Sequence, residues 1–201
     1  MNIGFFNWYV NVYYLTLGYL HSNQFNAAYK IHLIGKDHSL FNKQPSVIKE
    51  LFLINDAFIH FLLLIKKLAP QTNKSDFRVS KFLNEVPEYS KDKKAFNISI
   101  LIAQVLFLLS DRKYNKIIDR MESLQLYAYR HLRNDETIRS QCFIKMLGEM
   151  VKADFRRTGT EFRTNKLLQK MKDALAIDPF LIENEVIPYE DLWEMILEQL
   201  D

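Results

Sequence analysis

Four short polar segments, each ending in an aromatic residue, divide this chain into stretches whose apolar residues recur at helical spacing. The segments are His21–Phe25, Asn73–Phe77, Ser110–Tyr114 and Thr158–Phe162. A polar turn between two amphipathic stretches is typical of a helical hairpin, and a single hairpin cannot bury its apolar face alone. The pattern therefore predicts an all-α fold of stacked antiparallel helical hairpins.

The scarcity of turn-forming residues supports the same fold class. The chain has 201 residues but only five glycines and five prolines. An all-β fold needs many tight turns rich in those residues, so this composition argues against one. Aromatic residues make up 13% of the chain, which is typical of a folded protein rather than a disordered one.

The apolar spacing predicts about nine helices in one domain over residues 1–201. The fourth hairpin is followed by an acidic bridge and a C-terminal capping helix within 176–201. The aromatic start at Phe5 and Phe6 would suit one piece of a longer array, and a complete chain is the alternative. The predicted helices are Phe5–His21 with Asn23–Gly35, Pro45–Leu68 with Asp76–Glu85, Ala95–Leu109 with Tyr114–Leu132, Asp135–Phe155 with Glu161–Leu175, and a last helix from Pro188.

The first hairpin resembles a tetratricopeptide repeat, in which an aromatic, a Leu-Gly pair and a later alanine recur at fixed offsets. The matching residues are Tyr14, Leu17, Gly18, His21, Phe25 and Ala28, with a partial second match at Ile144, Leu147, Gly148 and Val151. The turn aromatics are 52, 37 and 48 residues apart, against 34 in that family. The resemblance implies a right-handed superhelix with a peptide-binding groove, no enzymatic activity, and close helix approach at Gly18 and Ala28.

The chain shows no catalytic, cofactor-binding or metal-binding motif. Its glycines are scattered singly, no Gly-x-Ser-x-Gly segment occurs, and the five histidines form no His-x-x-x-His pair. Cys142 shares a helical face with Met146 and predicts a buried free thiol. We therefore expect no enzyme and no cofactor or metal. The alternative is a site at Asp56 and His60, which are four residues apart, although a structural hydrogen bond is the favoured explanation of that pair.

The charge distribution is strongly uneven along the chain. Residues 1–110 carry net +5, residues 111–172 carry net +7, and residues 173–201 carry net −9. The candidate partner-binding residues are Arg156, Arg157, Arg163, Lys166 and Lys170. Three interpretations remain open: an ordinary solvated face, a patch complementary to the acidic closing helix, and a phosphate or nucleic-acid surface.

These observations together predict a non-catalytic, cytoplasmic helical-repeat module that binds a protein or peptide. The alternative is a nucleic-acid-associated protein that binds through the basic stretch 111–172. It ranks lower because the aromatic residues fall mostly at core spacing. A third possibility, a membrane anchor at Ile3–Leu20, is disfavoured by the asparagines and tyrosines within that segment. The single cysteine favours a reducing compartment, and the oligomeric state stays open.

Overall fold

The computed structural model describes residues 3–69, 77–85, 94–132, 137–177 and 185–201. All regular secondary structure in these residues is helical, which confirms the predicted fold class. One short 3₁₀ turn, Phe41–Lys43, lies between the second and third of nine α-helices. The helices are α1 Ile3–His21, α2 Phe25–Lys36, α3 Ser46–Leu64, α4 Val79–Glu85, α5 Lys94–Ser110, α6 Tyr114–His131, α7 Ile138–Lys152, α8 Arg157–Ile177 and α9 Tyr189–Leu197.

The contacts group the chain into two compact units, residues 1–84 and residues 85–201. In the first unit, α1 and α2 form a hairpin and α3 packs against both helices. In the second unit, each helix from α5 to α9 packs against the next helix in the sequence. Neighbouring helices thus shield one another's apolar faces, as the stacked-hairpin prediction requires. The grouping of all 201 residues into one repeat domain stays a prediction.

A turn of the same geometry connects α1 to α2 in the first hairpin and α5 to α6 in the third. Asn23 and Arg112 each have a positive φ, of 57° and 53°. The residue after each, Gln24 or Lys113, donates its backbone N–H to a carbonyl five residues earlier, at 2.9 Å and 2.8 Å. These bonds satisfy carbonyls that a helix end would otherwise leave unpaired. The first and third predicted turns are therefore structural repeats.

We expect Arg112→Gly to raise the free energy of unfolding by about 0.5–1 kcal/mol, because glycine adopts a positive φ without the steric cost that arginine has there. The ion pair that would be lost, Arg112 to Asp201 at 3.6 Å, is exposed and contributes little. Urea denaturation of the two proteins measures the difference. Arg120→Gly, within α6, is the control and should destabilise instead. A loss of stability on Arg112→Gly would contradict the geometry.

The other two predicted turns differ from the structure or lie outside it. Thr158–Phe162 belongs to the first turns of α8, so the prediction that a helix begins at Glu161 is wrong. The observed turn is earlier: α7 ends at Lys152, and both Asp154 and Phe155 have positive φ. The sequence pattern misplaced this turn because the nearby segment Thr158–Phe162 contains a glycine and two threonines, which are typical of a turn. Of the segment Asn73–Phe77, only Phe77 lies within the described residues.

Two predicted roles for glycine are wrong. Gly18 is exposed, and a Cβ built there meets nothing within 4 Å, so it does not allow a close helix approach. Gly35, predicted as the last residue of its helix, is instead buried within the last turn of α2, which ends at Lys36. A Cβ at Gly35 would lie 2.5 Å from Cε1 of Phe52 and 3.0 Å from Cγ1 of Val12. In the first unit, close helix packing therefore requires glycine at position 35 and not at position 18.

The C-terminal helix closes the second unit. The sequence predicts an apolar stripe at Trp193, Ile196, Leu197 and Leu200; Leu197 is half-buried and the other three are buried, with Leu200 just beyond the end of α9. The ring of Trp193 contacts Phe143 of α7 edge-on, with centroids 6.1 Å apart. Glu190 and Asp191 lie in the first turn of α9, where negative charge is favourable. The acidic bridge before this helix lies partly outside the described residues.

Candidate functional site

The five basic residues predicted to bind a partner are all exposed. Arg163, Lys166 and Lys170 lie on one side of α8, within about 60° of one another around the helix axis. Arg157 lies on the far side of the helix, and Arg156 belongs to the turn before it. The structure thus brings three of the five residues together on one face.

Phe162 occupies the outermost position of α8. Its side chain is 88% exposed, more than that of any other large apolar residue among those described. The buried residues of the helix, Thr160, Thr164 and Met171, lie on the opposite side of its axis. We call the surface formed by Phe162, Arg163, Lys166 and Lys170 the α8 outer face. The sequence pattern placed Phe162 at the end of a polar turn, and this aromatic residue was not among the predicted partner-binding residues.

Only part of the positive charge on this face is neutralised locally. Arg163 pairs with Glu149 of α7 at 3.4 Å, and Glu149 is shared with Lys152 at 2.6 Å. The hydrogen bond from Lys152 lowers the pKa of the Glu149 carboxyl. The hydrogen bond and the charge of Arg163 lower it further. Among the described residues, Lys166 and Lys170 form no ion pair. The carboxylate nearest to them along the face, Asp173, accepts a hydrogen bond from Gln169 at 2.7 Å.

A second group of exposed apolar residues lies on α6. Ile118, Leu126 and Tyr129 are all exposed and lie on one side of the helix. Together with Phe162 they are the large apolar residues that the described part of the second unit exposes, and every one is on α6 or α8. By contrast, α5 and α7, the first helices of the two hairpins, are largely buried. In the second unit, the second helix of each hairpin therefore carries the exposed apolar surface.

The acidic C-terminal segment does complement the basic stretch, but through a residue that sequence analysis did not single out. Arg139 of α7 is 1% exposed and binds both Glu185 and Glu190. Its Nε and Nη2 donate to Glu185 at 2.6 and 2.9 Å, and Nη1 and Nη2 donate to Glu190 at 2.7 and 2.6 Å. Nη1 also donates to the carbonyl of Met171 at 3.0 Å. All five guanidinium N–H groups are therefore used.

Burial and charge oppose each other at this cluster. Burial raises the pKa of Glu185 to about 7 despite its bonds to Arg139, and the charge of Glu190 makes a smaller contribution in the same direction. Burial acts the same way on Glu190, but there the hydrogen bonds and charge of Arg139 prevail and its pKa is lowered. Glu185 also accepts the backbone N–H of Tyr189 at 2.8 Å, at the start of α9. The cluster thus attaches the C-terminal helix to α7.

One sequence signal could have identified Arg139. It is the only charged residue among the buried residues of α7, and it lies four residues before the buried Phe143. A single arginine on an apolar stripe indicates a buried ion pair, because an unpaired buried charge is too costly. Its partners could not be identified in this way, since they come from a segment about 50 residues later in the chain.

The structure joins Asp56 to a neighbouring helix, a contact that the sequence did not predict. Asp56 of α3 accepts hydrogen bonds from two residues of α2, His32 at 2.8 Å and Lys36 at 2.7 Å. Burial alone would raise the pKa of Asp56, but the bonds and charges of these two partners lower it. Burial lowers the pKa of His60, and the charge of Asp56 opposes that shift only in part. His32 is 1% exposed, so the network holds α2 against α3 away from solvent.

Cys142 is a buried free thiol, as predicted. Burial raises the pKa of its thiol, and the nearby charge of Lys170 offsets this only in part. A buried thiol with a raised pKa is a poor nucleophile.

The described residues contain no group of three or more His, Cys, Asp or Glu side chains that could hold a metal ion. Within the same residues, no helix, α1 included, combines the length and apolar character needed to cross a membrane.

No protein-family model, no curated protein and no solved structure matches this chain. The tetratricopeptide resemblance therefore stays a hypothesis, while the helical fold rests on the structure itself.

Proposed function

We propose that this protein is a non-catalytic helical-hairpin module that binds a segment of another protein. The observation that carries the proposal is the position of the exposed apolar residues in the second unit. They lie on the second helices of consecutive hairpins, α6 and α8, and Phe162 projects from the outermost position of its helix. When a partner covers a large aromatic side chain and removes it from water, the free energy of binding becomes more favourable.

The chemistry around these residues suits recognition of a partner rather than a reaction. Aromatic and arginine side chains dominate the energetics of protein interfaces, and the α8 outer face presents one of each next to two lysines. The Asp56 network supports the same view, because His32 is buried and its carboxylate partner is already bonded to Lys36. Neither group is open to a substrate in this arrangement.

Site-specific photocrosslinking tests the proposal. We expect benzoylphenylalanine at position 162 or position 126 to form covalent adducts with a protein in lysate of the source cells. Adducts should form because both positions belong to the proposed interface. The same amino acid at Lys145, which is exposed on α7, is the matched control and should give no such adduct. Mass spectrometry of nuclease-treated adducts identifies what is bound.

Two results would contradict the proposal. The first is the absence of protein adducts at positions 162 and 126. The second is an adduct that disappears on nuclease treatment and reports nucleic acid, which would favour binding through the basic stretch 111–172 instead. A steep fall in crosslinking with added salt would accompany the second result, because cations released from phosphates dominate that kind of binding.

A further inference from the structure

The α8 outer face combines one apolar anchor with an unbalanced positive charge. Phe162 lies at its N-terminal edge, and Lys166 and Lys170 follow four and eight residues later on the helix. Neither lysine has an ion-pair partner within the described residues, and the one pair formed by Arg163 is long at 3.4 Å. A surface of this kind attracts negative charge over a distance of about 10 Å at moderate salt.

The chain's own acidic segment does not provide the missing charge through its buried carboxylates. Glu185 and Glu190 are both bound to Arg139, whose guanidinium is buried. Breaking those bonds to reach α8 would leave Arg139 buried and unpaired, which is strongly unfavourable. These two carboxylates are therefore not the charge that complements Lys166 and Lys170.

We propose that the α8 outer face binds an acidic segment of another protein that carries a bulky apolar side chain. This inference rests on the proposed function and specifies its partner. The apolar side chain of the segment packs on Phe162, and its carboxylates lie against Lys166 and Lys170. Complementary charge speeds association and sets the orientation, while the apolar contact determines how slowly the complex dissociates.

Fluorescence anisotropy with the full-length chain tests the inference. The probe is a fluorescein-labelled peptide of glutamates with leucines at helical spacing. We expect binding that is about tenfold weaker for Phe162→Ala, as for an interface anchor. Lys166→Glu/Lys170→Glu should weaken binding at least as much at low salt, and by less as salt rises. Neither change should affect folding by circular dichroism, since all three side chains are exposed.

Matched controls separate the two parts of the surface. Ile34→Ala removes an exposed apolar side chain from α2 in the other unit, and Lys145→Glu reverses an exposed charge on α7; both should bind as the unaltered protein does. A peptide with serine in place of leucine should bind weakly and lose its sensitivity to Phe162→Ala. A peptide with lysine in place of glutamate should not bind.

Several outcomes would overturn the inference. One is an acidic peptide that binds equally well to all variants, in which case the proposed function survives and this face is wrong. Another is tighter binding of a single-stranded oligothymidylate to the same residues, which would assign the face to nucleic acid. Self-association that is lost on Phe162→Ala would assign it to a second copy of the chain. The absence of protein adducts in the crosslinking experiment is the separate result that removes the proposed function itself.

Discussion

Arg139→Met is expected to lower the free energy of unfolding by about 3–5 kcal/mol, because it leaves two carboxylates buried without their cation. Glu185 and Glu190 lose four of their hydrogen bonds in this variant. Removal of the cation also raises the folded-state pKa of both carboxyls. A carboxyl with a raised folded pKa favours folding at low pH, and that contribution is lost as the pH rises. The cost of Arg139→Met should therefore be larger at about pH 8 than at about pH 5.

Urea denaturation followed by the fluorescence of Trp193 measures this effect, because Trp193 lies on α9, which the cluster attaches. Trp8→Phe removes the only other tryptophan. The matched control is Arg157→Met, which breaks an exposed arginine–glutamate pair at 2.9 Å and should cost under about 0.5 kcal/mol. Equal costs for the two substitutions would mean that the buried cluster does not hold the C-terminal helix.

A compensated variant separates the loss of the cation from the loss of packing. Replacing Arg139 by methionine together with Glu185 and Glu190 by leucine removes all three charges. Most of the lost stability should return, because an apolar cluster of similar volume avoids the desolvation cost of buried ions. If the triple variant is less stable than Arg139→Met alone, the hydrogen bond that Glu185 accepts from the backbone N–H of Tyr189 matters more than the charges.

Gly35→Ala is expected to destabilise the first unit by about 1–3 kcal/mol, since the added methyl group overlaps the ring of Phe52. That ring has little freedom to move: it stacks on His32 with centroids 5.1 Å apart and contacts Phe41 at 5.2 Å and Tyr9 at 6.0 Å. The overlap must outweigh a helix-propensity gain of about 1 kcal/mol from glycine to alanine. Trp8 fluorescence in a Trp193→Phe background reports this unit.

Gly18→Ala is the matched control for that substitution. Gly18 is also inside a helix, but a methyl group there meets no atom within 4 Å. It should stabilise the unit by about 0.5–1 kcal/mol through helix propensity alone. In the double variant Gly35→Ala/Phe52→Leu, the smaller side chain should relieve part of the overlap and give a favourable coupling energy. If Gly18→Ala destabilised the unit and Gly35→Ala stabilised it, the close helix packing would have to be assigned to Gly18 instead.

Much of the local structure could be predicted from the residues themselves. The number of helices and the positions of α1, α2, α5 and α6 follow from apolar periodicity and from polar turns. The buried thiol at Cys142 and the apolar stripe of α9 follow from spacing along a single helix. The prediction of the fourth turn failed because the chain reverses at Asp154 and Phe155, before the more turn-like segment Thr158–Phe162. A sequence pattern contains no signal for a strained turn that tertiary packing maintains.

In the candidate site, too, some features could be predicted from the sequence and others depended on tertiary packing. Five basic residues could be identified from charge alone, yet the structure brings three of them together beside Phe162. The periodicity does not reveal which side of α8 is covered, since that depends on where α7 and α9 pack. The aromatic residue placed in a turn by its sequence context is instead 88% exposed. Exposure is a property of the packed unit, so the candidate anchor became visible only there.

By itself, the sequence determined that this chain is helical, because apolar periodicity and a shortage of turn residues act within a few residues along the chain. Only the tertiary structure decided which charges are buried and which side chains remain exposed. Arg139 meets carboxylates about 50 residues away, and Asp56 meets His32 from a neighbouring helix. Such pairings depend on how the helices pack in three dimensions, and no local pattern specifies them.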